Sequence, residues 1–391
     1  MATEARLATI FPLMMNTPSW IQAGLRSESI QQRYVTVGGF THGFDYIRLI
    51  LAVAVVLQHS VLTTGGANAA SALWASGYRT LFAPILLMFF ALSGFLVAGS
   101  LKKGGTMRAF VALRVIRLAP ALAVEVLLCA LVLGPIFTML PLDEYFSSRM
   151  FLAYFGNIVG HVRMFLPGVF LDNPFPGIVN VSLWTVPYEL ECYLALMLLW
   201  MIGALRKPWL VAALVIGCVI AGTAWALMNF EPYWFADRPL PRSLIVAFLA
   251  GLNINLFSDR VRLDIRLALL ALAAMVLATV HYQGVYIAAL AAAYLVVYLG
   301  MMHPPKKTFL LRGDYSYGLY IFAFPLQQAC SQLFVDHRVW YLNAMFALVF
   351  GLAYAAFSWC LIEKPILSRK KAVVAFVERF PWRKPQAVRR A

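Results

Sequence analysis

Residues 44–63 read Phe44-Asp-Tyr-Ile-Arg48-Leu-Ile-Leu-Ala-Val-Ala-Val-Val-Leu-Gln-His59-Ser-Val-Leu-Thr63. Between Arg48 and Gln58 every side chain is aliphatic, and the whole run matches the ~20 residues that a helix needs to cross hydrocarbon. The stretch therefore reads as a membrane span. It also holds Asp45, Arg48 and His59, and an ionisable group inside a span costs at least ~2.5–3.5 kcal/mol at the bilayer centre on insertion scales, so each needs a partner, a cavity or a task.

The same pattern recurs outward along the 391 residues, of which 62% are hydrophobic and only 13% charged. An average soluble protein is about 45–50% apolar and about 25% charged. Windows of about 19 residues give about ten candidate spans: 44–63, 81–100, 115–140, 182–203, 208–228, 241–257, 264–282, 284–302, 314–335 and 340–362. The expected fold class is thus all-α, a polytopic membrane bundle. Gly251 and Asn253 are expected to bend or shorten the sixth span. The expected organisation is a leader over 1–40, a transmembrane domain over 41–366 and a basic tail over 367–391. Within the leader, Ile10 to Leu25 is mildly amphipathic but carries Pro12 and Pro18, so it either lies on the membrane surface or is disordered. Residues 1–40 lack the order of a cleaved signal peptide, so the first span is expected to stay.

The net charge of +15 raises the question of nucleic acid, and the placement of the basic residues answers it. With a cytoplasmic amino terminus, the inner loops hold Lys102, Lys103, Arg108, Arg114, Arg206, Lys207, Arg260, Arg262, Arg266, Lys306, Lys307 and Arg312, and the tail adds a further cluster from Lys364 to Arg390. The outer loops hold Arg79, Arg149, Arg163, Arg238, Arg242 and Arg338. The positive-inside rule then predicts both termini in the cytoplasm, and contact with anionic lipid accounts for the charge without a nucleic acid partner. The cysteines, Cys129, Cys192, Cys218, Cys330 and Cys360, all fall in apolar segments without a Cys-x-x-Cys pair. They are expected to be buried packing thiols, with neither disulfides nor a metal site.

The charges that fall inside spans point to chemistry. Arg48 and His59 are separated by about three helical turns and are expected on one face, with His59 roughly 20 Å along the helix and Gln58 on another face. A neutral imidazole there is either a catalytic base or a group satisfied by a neighbouring helix. Arg114 and Arg117, three apart, open the third span on one side; their guanidinium forks suit phosphate oxygens but equally anchor a helix in headgroups. Glu189 and Glu191 cannot share a helical face, whereas Glu189 and Tyr193 can meet. Glu125 is expected to form a structural salt bridge with one of the arginines. The outer connection 141–181, rich in Phe, Pro and Gly, is either a lid or acceptor platform or plain packing.

These residues resemble the integral membrane acyltransferase 3 family, whose members acylate bacterial glycans, lipids and some small molecules. The likeness rests on Phe44-Asp-Tyr-Ile-Arg48 with His59, Phe89-Phe-Ala-Leu-Ser-Gly-Phe95, Leu113-Arg-Val-Ile-Arg-Leu-Ala-Pro120, Ser182-Leu-Trp-Thr-Val-Pro-Tyr-Glu189, Asp314-Tyr-Ser-Tyr-Gly-Leu-Tyr320 and Ile362-Glu-Lys-Pro365. Where many members have a histidine before Phe-Pro in the ninth helix, this chain has Ala323.

The resemblance implies an acyl-CoA donor, acetyl-CoA foremost, on the cytoplasmic side of the bacterial inner membrane, and a glycan or lipid-linked saccharide acceptor from the other face. Arg114 and Arg117 would hold the donor's phosphates and His59 would be the general base, since imidazole titrates near the working pH. Arg48 would orient the donor or balance a carboxylate, and Glu189 would position the acceptor or orient the imidazole. Asp45, Trp184, Tyr188 and Tyr193 complete the expected substrate site, with no metal. Direct transfer is the simpler reading, although the residues do not decide between it and an acyl-enzyme; the oligomeric state is not read from the sequence. The rival reading is a transporter with the buried Arg, His and Glu lining a substrate or proton path, but no paired broken helices in related halves are evident.

Overall fold

The computed structural model describes residues 27–39, 41–102, 106–229, 240–305 and 313–379. In hydrocarbon no water satisfies the backbone, so an apolar run must close its hydrogen bonds within itself, and each of the sequence windows holds a helix. The elements are β1 (Glu28–Ser29), α1 (Ile30–Thr36), α2 (Gly43–Ala75), α3 (Arg79–Lys102), α4 (Met107–Leu128), α5 (Leu142–Ser147), α6 (Arg149–Tyr154), α7 (Val186–Met201) and α8 (Pro208–Met228). There follow α9 (Pro241–Leu256), β2 (Arg262–Leu263), α10 (Ile265–Val280), α11 (Val285–Gly300), α12 (Ser316–Leu333), α13 (Trp340–Ser358) and α14 (Lys370–Arg379). Among the described residues, 6 helices are long and apolar enough to cross a membrane, while α9 and α10 are apolar but shorter. The molecule is a helical, multi-pass membrane protein.

Several boundaries differ from the sequence reading. The first span does not stop near Thr63: α2 continues to Ala75 through a break at Gly66, whose φ of 73° only glycine adopts readily, and the Pro174 carbonyl oxygen lies against the place a Cβ would take. Arg114 and Arg117 do not open their helix. Thr106 accepts from the Ala109 N–H at 3.2 Å and starts α4 about two turns earlier. That helix then runs through a π-helical turn, Cys129–Leu133, to Phe137. At Gly251 and Asn253 α9 carries no break, and it is continuous from Pro241 to Leu256, but it is short, at 16 residues. A Cβ at Gly251 would overlap the Ala91 carbonyl, and one at Gly94 would overlap that of Phe248, so the two glycines let α3 and α9 approach backbone to backbone, as small residues do between membrane helices.

Residues 27–39 of the leader are structured. β1 pairs antiparallel with β2, Glu28 opposite Leu263, and Ser29 and Gln32 form a capping box at 3.2 and 2.8 Å that starts α1. Ile10 to Leu25 and the tail beyond Arg379 lie outside the described residues. The tail begins as α14, whose Glu378 accepts from the Thr106 hydroxyl at 3.0 Å. Of the cysteines, Cys129, Cys192 and Cys330 are buried as expected, but Cys218 is half-buried and Cys360 is exposed. Cys360 lies in the π-helical turn Trp359–Glu363 beside Leu361, which is also exposed; a thiol is a weak donor, so its place in a largely apolar segment does not require burial in protein.

The connection 138–180 is a folded unit and no linker. It contains α5, α6, a 3-10 turn over Phe155–Val159 and two isolated β-bridges, Thr138 with Val169 and Phe165 with Ile178. Tyr145, Tyr154 and Phe170 are fully buried in it, and they pack with Leu122 and Val126 of α4 and Ile321 and Phe322 of α12.

Candidate active site

At the basic end of the bundle, Asp314 sits just before α12 and gathers two cations. Its Oδ2 accepts from Arg48 Nη1 at 2.9 Å and from Arg117 Nη2, while its Oδ1 accepts from the Ser316 hydroxyl at 2.7 Å. Arg117 donates onward to Glu363 Oε2 at 3.0 Å, and Glu363 Oε1 accepts from the Ser358 hydroxyl at 3.1 Å. Arg48 also reaches back to Asp45 Oδ1 at 2.5 Å. This chain of alternating charges ties α2, α4, α12 and the end of α13 together. Ion-paired in this way, the groups avoid the cost of isolated buried charges.

Above the network lies a cavity of about 190 Å³, lined by Arg48, Arg114, Arg117, Glu189 and Tyr193 and closed by Phe89, Ser93 and Tyr317 among others. Arg114 differs from Arg117. Among the described residues its guanidinium has no carboxylate within ion-pair distance and its Nε makes no hydrogen bond; it lies 5.8 Å from the Phe110 ring and shares the cavity with Glu189. Glu189, at the start of α7, accepts from the Tyr193 hydroxyl at 2.5 Å, the one-turn contact that their spacing predicts. Glu191 points elsewhere, to Arg242, and both are exposed.

A second cavity, about 270 Å³, continues toward the opposite end and contains His59. Its imidazole meets the Phe324 ring edge-on at 5.2 Å, and among the described residues its ring nitrogens make no hydrogen bond. Trp74 and Leu73, from the part of α2 beyond Gly66, form one wall, and Met164, Phe175 and Ile178 of the 138–180 unit form another. The outer connection therefore packs on the bundle and also walls this cavity. Ala323, buried with Ala52 and Val56, brings no second imidazole to this chamber.

The geometry redistributes several expected roles. Gln58 is not turned away from His59; both border the second cavity, because a wide chamber spans the 100° between adjacent helix positions. Glu125 does not pair with an arginine. It lies deeper in α4, fully buried, and takes hydrogen bonds from Asn180 at 2.8 Å and from the Cys129 thiol at 3.1 Å. Glu189 lies with the cations, and no hydrogen bond joins it to His59. The expected substrate residues separate: Tyr193 lines the first cavity and Trp184 the second, Tyr188 stands behind Trp184 at 5.8 Å, and Asp45 is committed to Arg48.

The acyltransferase domain family, as a sequence model, matches residues 41–363. The chain belongs to this acyltransferase family. It is similar to a protein named O-acetyl transferase of Shigella phage Sf6, 26% identical over 348 residues that cover 83% of this chain and 96% of the relative. It is also similar to nodulation protein 10 of Rhizobium leguminosarum bv. viciae, 26% identical over 368 residues, 86% of this chain and 96% of the relative. No solved structure matches it.

As a membrane acyltransferase, the chain places all the family-like motifs around one pair of cavities. Asp45 and Arg48, Phe89 and Ser93, Arg114 and Arg117, Trp184 and Glu189, Asp314 and Tyr320, and Glu363 each enter the charge network or a cavity wall. Asp314, Glu363, Thr185 and Asn180 received no role from sequence reasoning. A lone carboxylate at the first position of an apolar window, as at Asp314 in 314–335, was the available signal, since such a group requires a cation.

Proposed function

We propose that the protein is an O-acyltransferase of the bacterial inner membrane that moves an acyl group, acetyl by preference, from acyl-CoA to a hydroxyl of a cell-surface glycan or glycolipid. In this reading the helices of all the sequence windows span the membrane and both termini are cytoplasmic. The observation that carries it is the end-to-end pair of cavities, one holding an arginine with no carboxylate within ion-pair distance among the described residues and the other an imidazole whose nitrogens make no hydrogen bond there. A CoA thioester is an anion joined by a thin arm to a reactive carbonyl, and this pair offers a cation for the one end and a base for the other.

Arg114 meets the donor's phosphates. Arg117 and Arg48, neutralised by Asp314, Glu363 and Asp45, hold the helices around that entrance. The acceptor enters beside Trp184 and the 138–180 unit. His59 takes the proton of its hydroxyl while the oxygen bonds to the thioester carbonyl carbon; the carbon–sulfur bond then breaks and the CoA thiolate leaves with its electron pair, to be protonated. Such base catalysis contributes about 10²–10⁴-fold. The relative named O-acetyl transferase supports acetyl as the group and oxygen as the acceptor atom. Membranes supplied with radiolabelled acetyl-CoA and candidate glycans test this: label entering the glycan supports it, whereas passage of unmodified substrate would favour a carrier.

A further inference from the structure

The two cavities share walls through Leu86 of α3 and Tyr320 of α12, and among the described lining residues these alone border both. Arg114 and Glu189 face only the first chamber and His59 only the second. A thioester anchored among the cations must therefore bring its carbonyl between these two side chains to meet an acceptor oxygen beside His59. Whatever follows that carbonyl passes the same constriction.

Tyr320 is a rigid half of this septum. Its hydroxyl is 2.9 Å from the Thr185 hydroxyl and its ring meets Phe89 edge to face at 5.7 Å. The backbone beside it is also held. Pro325 has no N–H to bond the Ile321 carbonyl one turn earlier, and the Asn180 side chain supplies that bond at 2.7 Å. Leu86 is the apolar half, two residues beyond Pro84 of α3.

We propose that Leu86 and Tyr320 are the specificity-determining pair that gauges the donor's acyl chain, passing a short acyl group to His59 and rejecting a longer one. The proposal rests on the acyl-CoA reading above and adds to it the residues that set chain length. A rigid apolar constriction discriminates about 10-fold or more per methylene. Thr185 acts through Tyr320 as a positioning residue.

The test uses the full chain in lipid nanodiscs with acetyl-, propionyl-, butyryl- and hexanoyl-CoA, alongside binding of desulfo-CoA, which reports the cationic chamber independently of transfer. Leu86→Ala is expected to raise the butyryl-to-acetyl ratio of kcat/KM about tenfold or more, and Thr185→Val to raise it by less, both with unchanged desulfo-CoA affinity. Leu86→Trp is expected to block transfer of every acyl group while desulfo-CoA still binds. An unaltered acyl ratio in both Leu86→Ala and Thr185→Val, or wild-type acetyl transfer by Leu86→Trp, overturns the gauge alone. If the wild-type chain takes no acyl group from any CoA thioester, the donor reading itself falls and the gauge with it.

Discussion

The side-chain amide of Asn180 donates to the carbonyl oxygen of Ile321 at 2.7 Å, across 141 residues of sequence. Pro325 leaves that oxygen without its helical partner, and Asn180 also supports Glu125. Removing the amide strands the buried Ile321 oxygen, at about 1–3 kcal/mol, and leaves Glu125 Oε1 with the Cys129 thiol as its donor. Asn180→Ala is expected to lower the melting temperature clearly, and to do so less in a Pro325→Ala background, where a new N–H can bond Ile321. Thermal unfolding of the four proteins in detergent gives the coupling; equal losses in both backgrounds would show that the amide does not substitute for the missing bond.

The arginines separate by what each already holds. Arg117 bridges Asp314 and Glu363, so Arg117→Lys, which cannot keep two partners with one fork, is expected to lose stability, toward the about 3–5 kcal/mol of a broken buried pair. Arg114 bridges no carboxylate, so Arg114→Lys is expected to leave the melting temperature near wild type while raising the KM for the donor. Measuring both quantities on both variants checks the division, and an Arg114→Lys protein with unchanged donor KM contradicts the phosphate contact.

Gly66 lets α2 turn beneath the 138–180 unit and carry Leu73 and Trp74 to the wall of the His59 chamber. Its positive φ alone makes alanine costly by about 1–3 kcal/mol, and the Pro174 carbonyl adds a clash. Gly66→Ala is expected to lose stability and acyl transfer together. In the same experiment Gly77→Ala, where nothing lies within 4 Å of a Cβ, is expected to behave as wild type.

The helical bundle was legible because hydropathy is a local signal: windows beginning near 44, 81, 208 and 340 each hold a helix. The continuation of α2 past Gly66 was not, since a glycine reads as a stop until Pro174 is seen beside it. Glu189 and Tyr193 were legible at one helical turn. The pairing of Arg48 and Arg117 with Asp314 spans 266 and 197 residues and leaves no local trace, so Arg114 and Arg117 read as two equal cations, whereas among the described residues Arg117 holds two carboxylates at ion-pair distance and Arg114 none. Glu125 was misassigned for the same reason: its partner Asn180 lies in the outer connection, whereas the arginines considered for it share its helix but sit two to three turns away.

His59 carries the central claim, because the second chamber offers its unpartnered imidazole where the acceptor hydroxyl must arrive. The decisive measurement is transfer of radiolabelled acetyl from acetyl-CoA by His59→Ala in membranes, at matched abundance and with desulfo-CoA binding as the measure of an intact donor chamber. The account predicts that binding is retained and that transfer falls at least about 10²-fold. Transfer at the wild-type rate by that variant would contradict it.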